Sequence, residues 1–221
     1  MTGSELIQLI KEKIHDSAFS PPMILGRVNK GVGRIAGIVD LPDLKSSDTV
    51  TTDTNPYVAV PATVGNVFHQ KRGSLFFVSS SGQDCEIKIV DSWIKFLMKW
   101  PTLDEAGAIQ EVCVRGGRLY YQPIPAAADT LTLHFMRKPV AMANTDRDAE
   151  PDGIPEHLQE DLLVNFGCWD IFSEKEDESA QTPNTDKYKG KFAGAMAELN
   201  QFIGPSDRAP EYYDEDEEDF I

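Results

Sequence analysis

The chain has 221 residues, 41% of them hydrophobic, and its 21 Lys and Arg stand against 36 Asp and Glu for a formal net charge of −15 at pH 7. That is enough apolar material for a real core, in one large domain or two small ones. The negative balance opposes any general grip on nucleic-acid backbone, which needs clustered cations, but it does not forbid a surface past which DNA slides.

In chain order, Leu6, Ile7, Leu9, Ile10 and Ile14 recur at helical spacing behind Ser4, and Ser20-Pro21-Pro22 closes this first helix. Leu25, Val28, Val32, Ile35, Ala36 and Val39 form a second stripe that stops at Leu41-Pro42. From Thr49 the period changes. Val50-Thr51-Thr52, Tyr57-Val58-Ala59-Val60 and Ser74-Leu75-Phe76-Phe77-Val78 are rich in β formers, Ser79-Ser80-Ser81-Gly82 is a turn cluster, and Cys85 to Ile89 alternates as a half-buried strand does. Trp93, Phe96, Leu97 and Trp100 mark one short helix before Pro101. Gly116-Gly117 between Glu111–Arg115 and Arg118–Gln122 supplies the positive φ of a two-residue hairpin turn, and Thr130 to Phe135 alternates strictly.

After a polar connector over 140–153, Ile154-Pro155-Glu156 opens a third long helix with Leu158, Leu162, Phe166, Trp169 and Phe172 as its buried stripe. Residues 173–185 read as a loop or frayed end. Tyr188, Phe192, Ala195, Met196, Leu199 and Phe202 mark a fourth helix, closed by Gly204-Pro205. Gly190 and Gly194 within it either permit close packing or are two weak positions in an exposed stretch. The order predicts an α+β fold: a helical bundle of two N-terminal and two C-terminal helices (1–48 and 150–204), an antiparallel β-rich domain inserted between the second and third helices (49–142), and an acidic C-terminal tail (205–221).

The charge is unevenly placed. Residues 1–54 carry 6 basic and 7 acidic residues and residues 55–142 carry 9 and 7, whereas residues 143–221 carry 6 and 22. Part of that acid coats a helical face and part forms the tail Tyr212, Tyr213, Asp214, Glu215, Asp216, Glu217, Glu218, Asp219, Phe220, Ile221. A solubilising tail has no need of Tyr212-Tyr213 and Phe220-Ile221, so the segment is the candidate partner-docking site, suited to a groove lined with Lys or Arg.

No constellation of catalytic residues competes with that reading. Gly31-Val32-Gly33-Arg34-Ile35-Ala36-Gly37 lies in a helical stripe, without the preceding strand or the Walker lysine of a phosphate loop. His15, His69, His134 and His157 are scattered one per segment, with neither the partner spacing of a zinc site nor that of a triad. Cys85, Cys113 and Cys168 are odd in number and set in apolar patterns, as reduced core thiols are. Glu160-Asp161 and Glu176-Asp177-Glu178 lack the spacing of a calcium loop and read as a solvated face. Neither a metal nor any other cofactor is expected. Trp93, Trp100, Tyr120 and Tyr121 near Lys95, Lys99, Arg115 and Arg118 form either a stacking platform or core, the core being favoured for the two tryptophans because they share one helix face. No apolar run reaches the ~20 residues that span a bilayer, and Met1-Thr2-Gly3-Ser4-Glu5 lacks the order of a signal peptide. A cytosolic site of synthesis and no membrane partner are expected.

The run from Leu119-Tyr120-Tyr121-Gln122-Pro123-Ile124-Pro125 through Thr130–Pro139, then Ile154-Pro155-Glu156, an acidic aromatic helix, and Asp186-Lys187-Tyr188-Lys189-Gly190-Lys191-Phe192, resembles the head–tail adaptor proteins of tailed bacteriophages. In that family a strand with alternating Leu and a following aromatic leads through Pro to I-P-E and then to two helices, the second opening with Tyr and Phe near Lys. Phe135 stands in the aromatic place, and the Trp93 to Trp100 segment does not align. The resemblance implies a non-enzymatic virion neck protein that binds the portal below the capsid, forms a ring, usually of twelve copies, contacts tail or neck proteins, and continues the DNA channel without specific binding to the genome. It also implies a C-terminal segment that docks on the portal, for which Tyr212 to Ile221 is the suited part. Three rival roles stand beside it: a tail-completion or stopper protein of the virion; in a different class, a sugar- or peptide-binding β domain using Trp93, Trp100, Tyr120 and Tyr121; and a metal-dependent hydrolase at the carboxylate clusters.

Overall fold

The computed structural model describes residues 1–61, 75–82, 87–176 and 183–204. Helix α1, Gly3–Ile14, begins with a capping box in which Thr2 Oγ1 accepts from the Glu5 amide (3.3 Å) and the Glu5 carboxylate accepts from the Thr2 amide (2.8 Å). The cap is therefore Thr2 and not Ser4, because only Thr2 has an acid three residues on that can return the bond. His15 ends the helix in the left-handed conformation, φ 49°. Helix α2, Pro21–Ala36, takes Pro21 and Pro22 as its own first turn, where a missing N–H costs nothing. They open this helix and do not close the one before.

Where one regular helix was expected from Ile154, the chain makes a 3-10 turn at Glu156–Leu158, a π-helical stretch at Glu160–Val164, and then helix α4, Asn165–Glu176. Leu162, Leu163 and Val164 are consecutive and all buried. The burial continues without a break through Asn165, Phe166, Gly167 and Cys168 of α4, so this segment is enclosed all round, as a helix at the centre of a bundle is. The Asn165 side-chain amide donates to the Asp161 carbonyl at 2.6 Å within this stretch. Helix α5 runs Pro183–Ile203, so both helices reach into the segment that reads as loop in the sequence.

The first compact unit comprises residues 1–47 and 136–204. Its core gathers Leu6 and Ile10 from α1, Ile24, Val28 and Ile35 from α2, Leu162, Phe166 and Ile171 from the π stretch and α4, and Phe192 and Leu199 from α5. The α4–α5 contact is aromatic. Phe172 stacks on Tyr188 with ring centroids 5.5 Å apart, and Phe166, Trp169 and Phe192 form a triad with centroids 5.4 to 5.8 Å apart. A Cβ on Gly31 of α2 would lie 2.7 Å from the Phe166 ring, so this glycine is what admits the ring. Around Gly190 and Gly194 a Cβ would meet nothing within 4 Å, which makes them open positions and not packing glycines.

The second unit comprises residues 48–61 and 75–135 and holds most of two sheets. Strands β1 (Lys45–Thr51), β7 (Thr130–Met136) and β3 (Leu75–Ser80) form one, in the order β1-β7-β3. β2 (Tyr57–Ala59), β6 (Arg118–Gln122), β5 (Glu111–Arg115) and β4 (Lys88–Ile89) form the other, in the order β2-β6-β5-β4. β1 starts earlier than the change of period at Thr49 suggests, and β3 extends through Ser79 and Ser80, which read as turn in the sequence. The hairpin of β5 and β6 turns on Gly116 and Gly117, at φ 58° and 74°, as the Gly-Gly pair requires. β4 pairs with β5 in parallel, so the second sheet is mixed and not wholly antiparallel. Helix α3, Trp93–Lys99, places Phe96 and Trp100 against Cys113 of β5.

Two glycine substitutions should separate packing from propensity. Gly31→Ala should destabilise the protein by about 1–3 kcal/mol through overpacking against Phe166, whereas Gly190→Ala should be neutral or stabilising by up to about 1 kcal/mol. Urea unfolding of the two variants measures both.

Candidate interaction surfaces

The sequence candidate Tyr212 to Ile221 lies outside the described residues. Of the paired carboxylates, Glu160 and Asp161 are exposed, with Glu160 3.7 Å from the Lys13 ammonium, and Glu176 is the described member of its run. It accepts from the amide and side chain of Asn184 (3.3 and 2.9 Å) and of Thr185 (2.9 and 2.8 Å), tying the end of α4 to the first turn of α5. Partial burial works to raise its pKa, but the bonds from Thr185 and Asn184 prevail and hold it below the ordinary glutamate value. Its role is a helix cap.

Much of the acid on the helices is matched inside the bundle. Asp170 of α4 receives Arg27 (2.6 Å) and Lys30 (2.5 Å) from α2, Glu174 also receives Arg27, and Asp16 receives Lys175. Arg34, on the next turn of α2, lies over the Trp169 ring, 4.9 Å from its centroid. At the entry to the connector, Arg137 grips Asp152 with both guanidinium nitrogens (2.5 and 2.8 Å), and the same carboxylate accepts from the Val140 amide at 2.7 Å. The Arg137 bond is the main cause of an Asp152 pKa below the usual carboxylate value.

That connector has no regular structure, yet it is held firmly. Asn29 of α2 exchanges two hydrogen bonds with the Met142 backbone, both at 3.0 Å, and the carbonyls of Ala149 and Arg147 accept from the first amides of α1, Gly3 (3.0 Å) and Ser4 (2.9 Å). The outcome is a pinned ridge whose Asp146, Asp148 and Glu150 are exposed. Glu150 lies 3.9 Å from the Met1 ammonium.

In the second unit the aromatic and basic set divides in two. Trp100 and Tyr121 are core. The Trp100 indole N–H donates to Glu111 (2.9 Å), which also receives Lys99 (2.8 Å), and the Tyr121 hydroxyl donates to the Asp53 carbonyl and accepts from the Asp53 amide, both at 3.1 Å. Trp93 and Tyr120 are half-buried and join Tyr57 in a continuous row of tilted rings, with interplanar angles of 57° and 50°. Trp93 to Tyr120 is 4.5 Å and Tyr120 to Tyr57 is 5.4 Å between ring centroids. A guanidinium covers each end: Arg115 lies 4.9 Å from the Trp93 centroid and Arg118 lies 4.3 Å from that of Tyr57. Such contacts contribute about 0.5–1 kcal/mol each at exposed sites. Tyr57 had no place in the sequence reading of this set; its part depends on the β2–β6 register, which pairs it with Tyr120.

Asp129 is a second residue that the sequence did not single out. Its carboxylate accepts from Ser80 Oγ, Ser81 Oγ (3.0 Å) and the Gly82 amide (3.2 Å), and its backbone exchanges bonds with Thr52, which ties β3 to the chain entering β7. Desolvation works to raise its pKa, and the hydroxyl and amide donors prevail and lower it.

Of the histidines, His15 caps α1, His134 of β7 lies 5.4 Å from Phe77, His157 lies 4.7 Å from Phe202, and His69 is outside the described residues. Among the described residues no group of three or more His, Cys, Asp or Glu is arranged to hold a metal ion, and no helix is long and apolar enough to cross a membrane. Gly31 to Ala36 of the glycine-rich run lie within α2. Cys113 and Cys168 are buried free thiols, and burial pushes the latter up to about 11, far from a reactive thiolate.

Asp152 and Asp129 have folded-state pKa values below their unfolded values. Their contribution to stability is therefore fully present above the unfolded carboxylate value of about 4 and is lost as pH falls through the lowered folded values. Asp152→Asn should lower the melting temperature at pH 7 and flatten its decline below about pH 4. A series of thermal melts across that range checks the sign.

No curated protein matches the chain at a significant level. The family model of the SU10 adaptor protein matches residues 1–213, nearly the whole chain, and the protein accordingly belongs to that family of phage head–tail adaptors, virion components with a structural role.

Proposed function

We propose that this protein is a neck component that binds the portal below the capsid, closes with other copies into a ring of about twelve, and extends the DNA channel toward the tail. Family membership over residues 1–213 is the observation that carries this reading. Assembly takes place in the host cytoplasm, and the tail-side face meets other neck or tail proteins. Carboxylates turned to the channel repel the phosphate backbone, so the genome passes without sticking.

Docking on the portal is assigned to the C-terminal segment. The family match includes Tyr212 and Tyr213 and ends before the acidic block Asp214–Asp219 and its Phe220-Ile221 terminus. The docking role of that block is therefore argued from its own chemistry. Six consecutive carboxylates between aromatic and aliphatic anchors suit a basic groove with apolar ends.

Removal of Tyr212 to Ile221 should weaken attachment to portal rings at least about tenfold, which is 1.4 kcal/mol, and leave the melting temperature nearly unchanged. Pull-down on immobilised portal, with thermal melting of the same preparations, measures both. Undiminished attachment removes the tail from this role.

A further inference from the structure

The arginine-capped row of aromatic rings in the second unit stands apart from the charge pairing found elsewhere among the described residues. Arg115 and Arg118 are directly opposed across the hairpin of β5 and β6, and like charges at opposed positions destabilise a strand pair. Among the described residues neither forms a salt bridge, and neither does Lys95 on α3. The ring occupies the face of each guanidinium, and the N–H groups along its edge meet no acceptor among the described residues, the geometry that takes a carboxylate or phosphate through two parallel bonds. On the outward side of α3, Ile94 and Met98 lie one turn apart at 70% and 79% exposure. Fixed cations beside uncovered apolar side chains make a surface for an acidic protein. A duplex backbone would leave Ile94 and Met98 in water, and the net charge of −15 disfavours it further.

We infer that this surface receives a second copy of the chain, with Arg115, Arg118 and Lys95 of one copy meeting the pinned ridge of Asp146, Asp148 and Glu150 on the next. The ridge is fixed before contact by its bonds to Gly3, Ser4 and Asn29, and the guanidiniums are fixed by their stacks. Little ordering remains to be done on association. The two surfaces differ, so each copy offers one and accepts with the other, a heterologous contact that propagates and closes when its rotation permits. The inference rests on the ring reading above and names the contact that builds the ring.

Charge exchange in the full-length chain tests it. Sedimentation velocity, for the protein alone and with portal rings of its virus, would compare the wild type, Arg115→Glu with Arg118→Glu, Asp146→Arg with Asp148→Arg, and the chain carrying all four. Each pair should weaken assembly at least about tenfold, the four together should restore it, and added salt should weaken the wild type. Absence of wild-type rings under both conditions would sink the ring reading and this inference together. Intact assembly after arginine reversal would sink the inference alone. Loss on arginine reversal and on removal of Tyr212 to Ile221, with none on ridge reversal, would make the tail the occupant and overturn the proposal. Arginine-dependent binding of a duplex oligonucleotide with assembly unaffected would overturn it in favour of nucleic acid. If a reversed chain loses its native melting transition, zero-length carbodiimide cross-linking of wild-type rings decides: Lys95 joined between copies to Asp146, Asp148 or Glu150 supports the contact, and its absence from the inter-copy products rejects it.

Discussion

The helical unit is organised around one ring, Phe166. It sits where α2 has no side chain, at Gly31, and meets Trp169 of its own helix and Phe192 of α5. α2, α4 and α5 must therefore agree on one place. Close-packed interiors resist even small changes of volume, so helix spacing in this unit is set by the fit of an aromatic disc into a gap of one missing Cβ. The π-helical stretch before Phe166 belongs to the same constraint. It carries Leu162, Leu163 and Val164 into the core directly before Phe166. Outside this apolar seam, the basic side of α2 meets acid on α4 through Arg27 and Lys30 with Asp170 and Glu174, and Arg34 completes the row on Trp169.

Acid in this chain thus has several physical roles, and net charge alone cannot tell them apart. Asp170 is largely shielded from solvent and serves the α2–α4 contact. Glu176 satisfies amides that the first turn of α5 would otherwise leave without a partner. Asp152 and Asp129 tie irregular chain to regular elements. Asp146 and Asp148 have no such internal duty in the geometry described, although the backbone that carries them is firmly held. Exposure on a fixed backbone is what distinguishes a recognition surface from a solubilising one.

The sequence exposed those parts of the fold that depend on local rules. Helical stripes placed four long helices, and Gly116-Gly117 placed the hairpin because only residues tolerant of positive φ make that turn. The capping threonine was missed by two residues because Ser4 is as good a cap by type; the deciding feature is the return bond from Glu5. The parallel pairing of β4 with β5 and the roles of Asp129, Asp152 and Tyr57 depend on which strands become neighbours, which periodicity does not encode. Trp93 opens α3 and Trp100 caps its C-terminal end, yet Trp100 is buried with its N–H on Glu111 while Trp93 carries Arg115 on its face. Register and tertiary contact divided a set that composition had grouped.

A structural adaptor has to present polar surface to other proteins without folding that surface onto itself. The stacks in the second unit meet this need. Aromatic rings restrain Arg115 and Arg118 without neutralising them, because a ring face attracts a cation but accepts no strong in-plane hydrogen bond. A carboxylate in the same place, such as the one Arg137 finds in Asp152, would have used up the donors. The difference between Arg137 and Arg115 is thus one of partner chemistry and not of side-chain type, and it converts the same residue from an internal brace into a surface ready for an external acid.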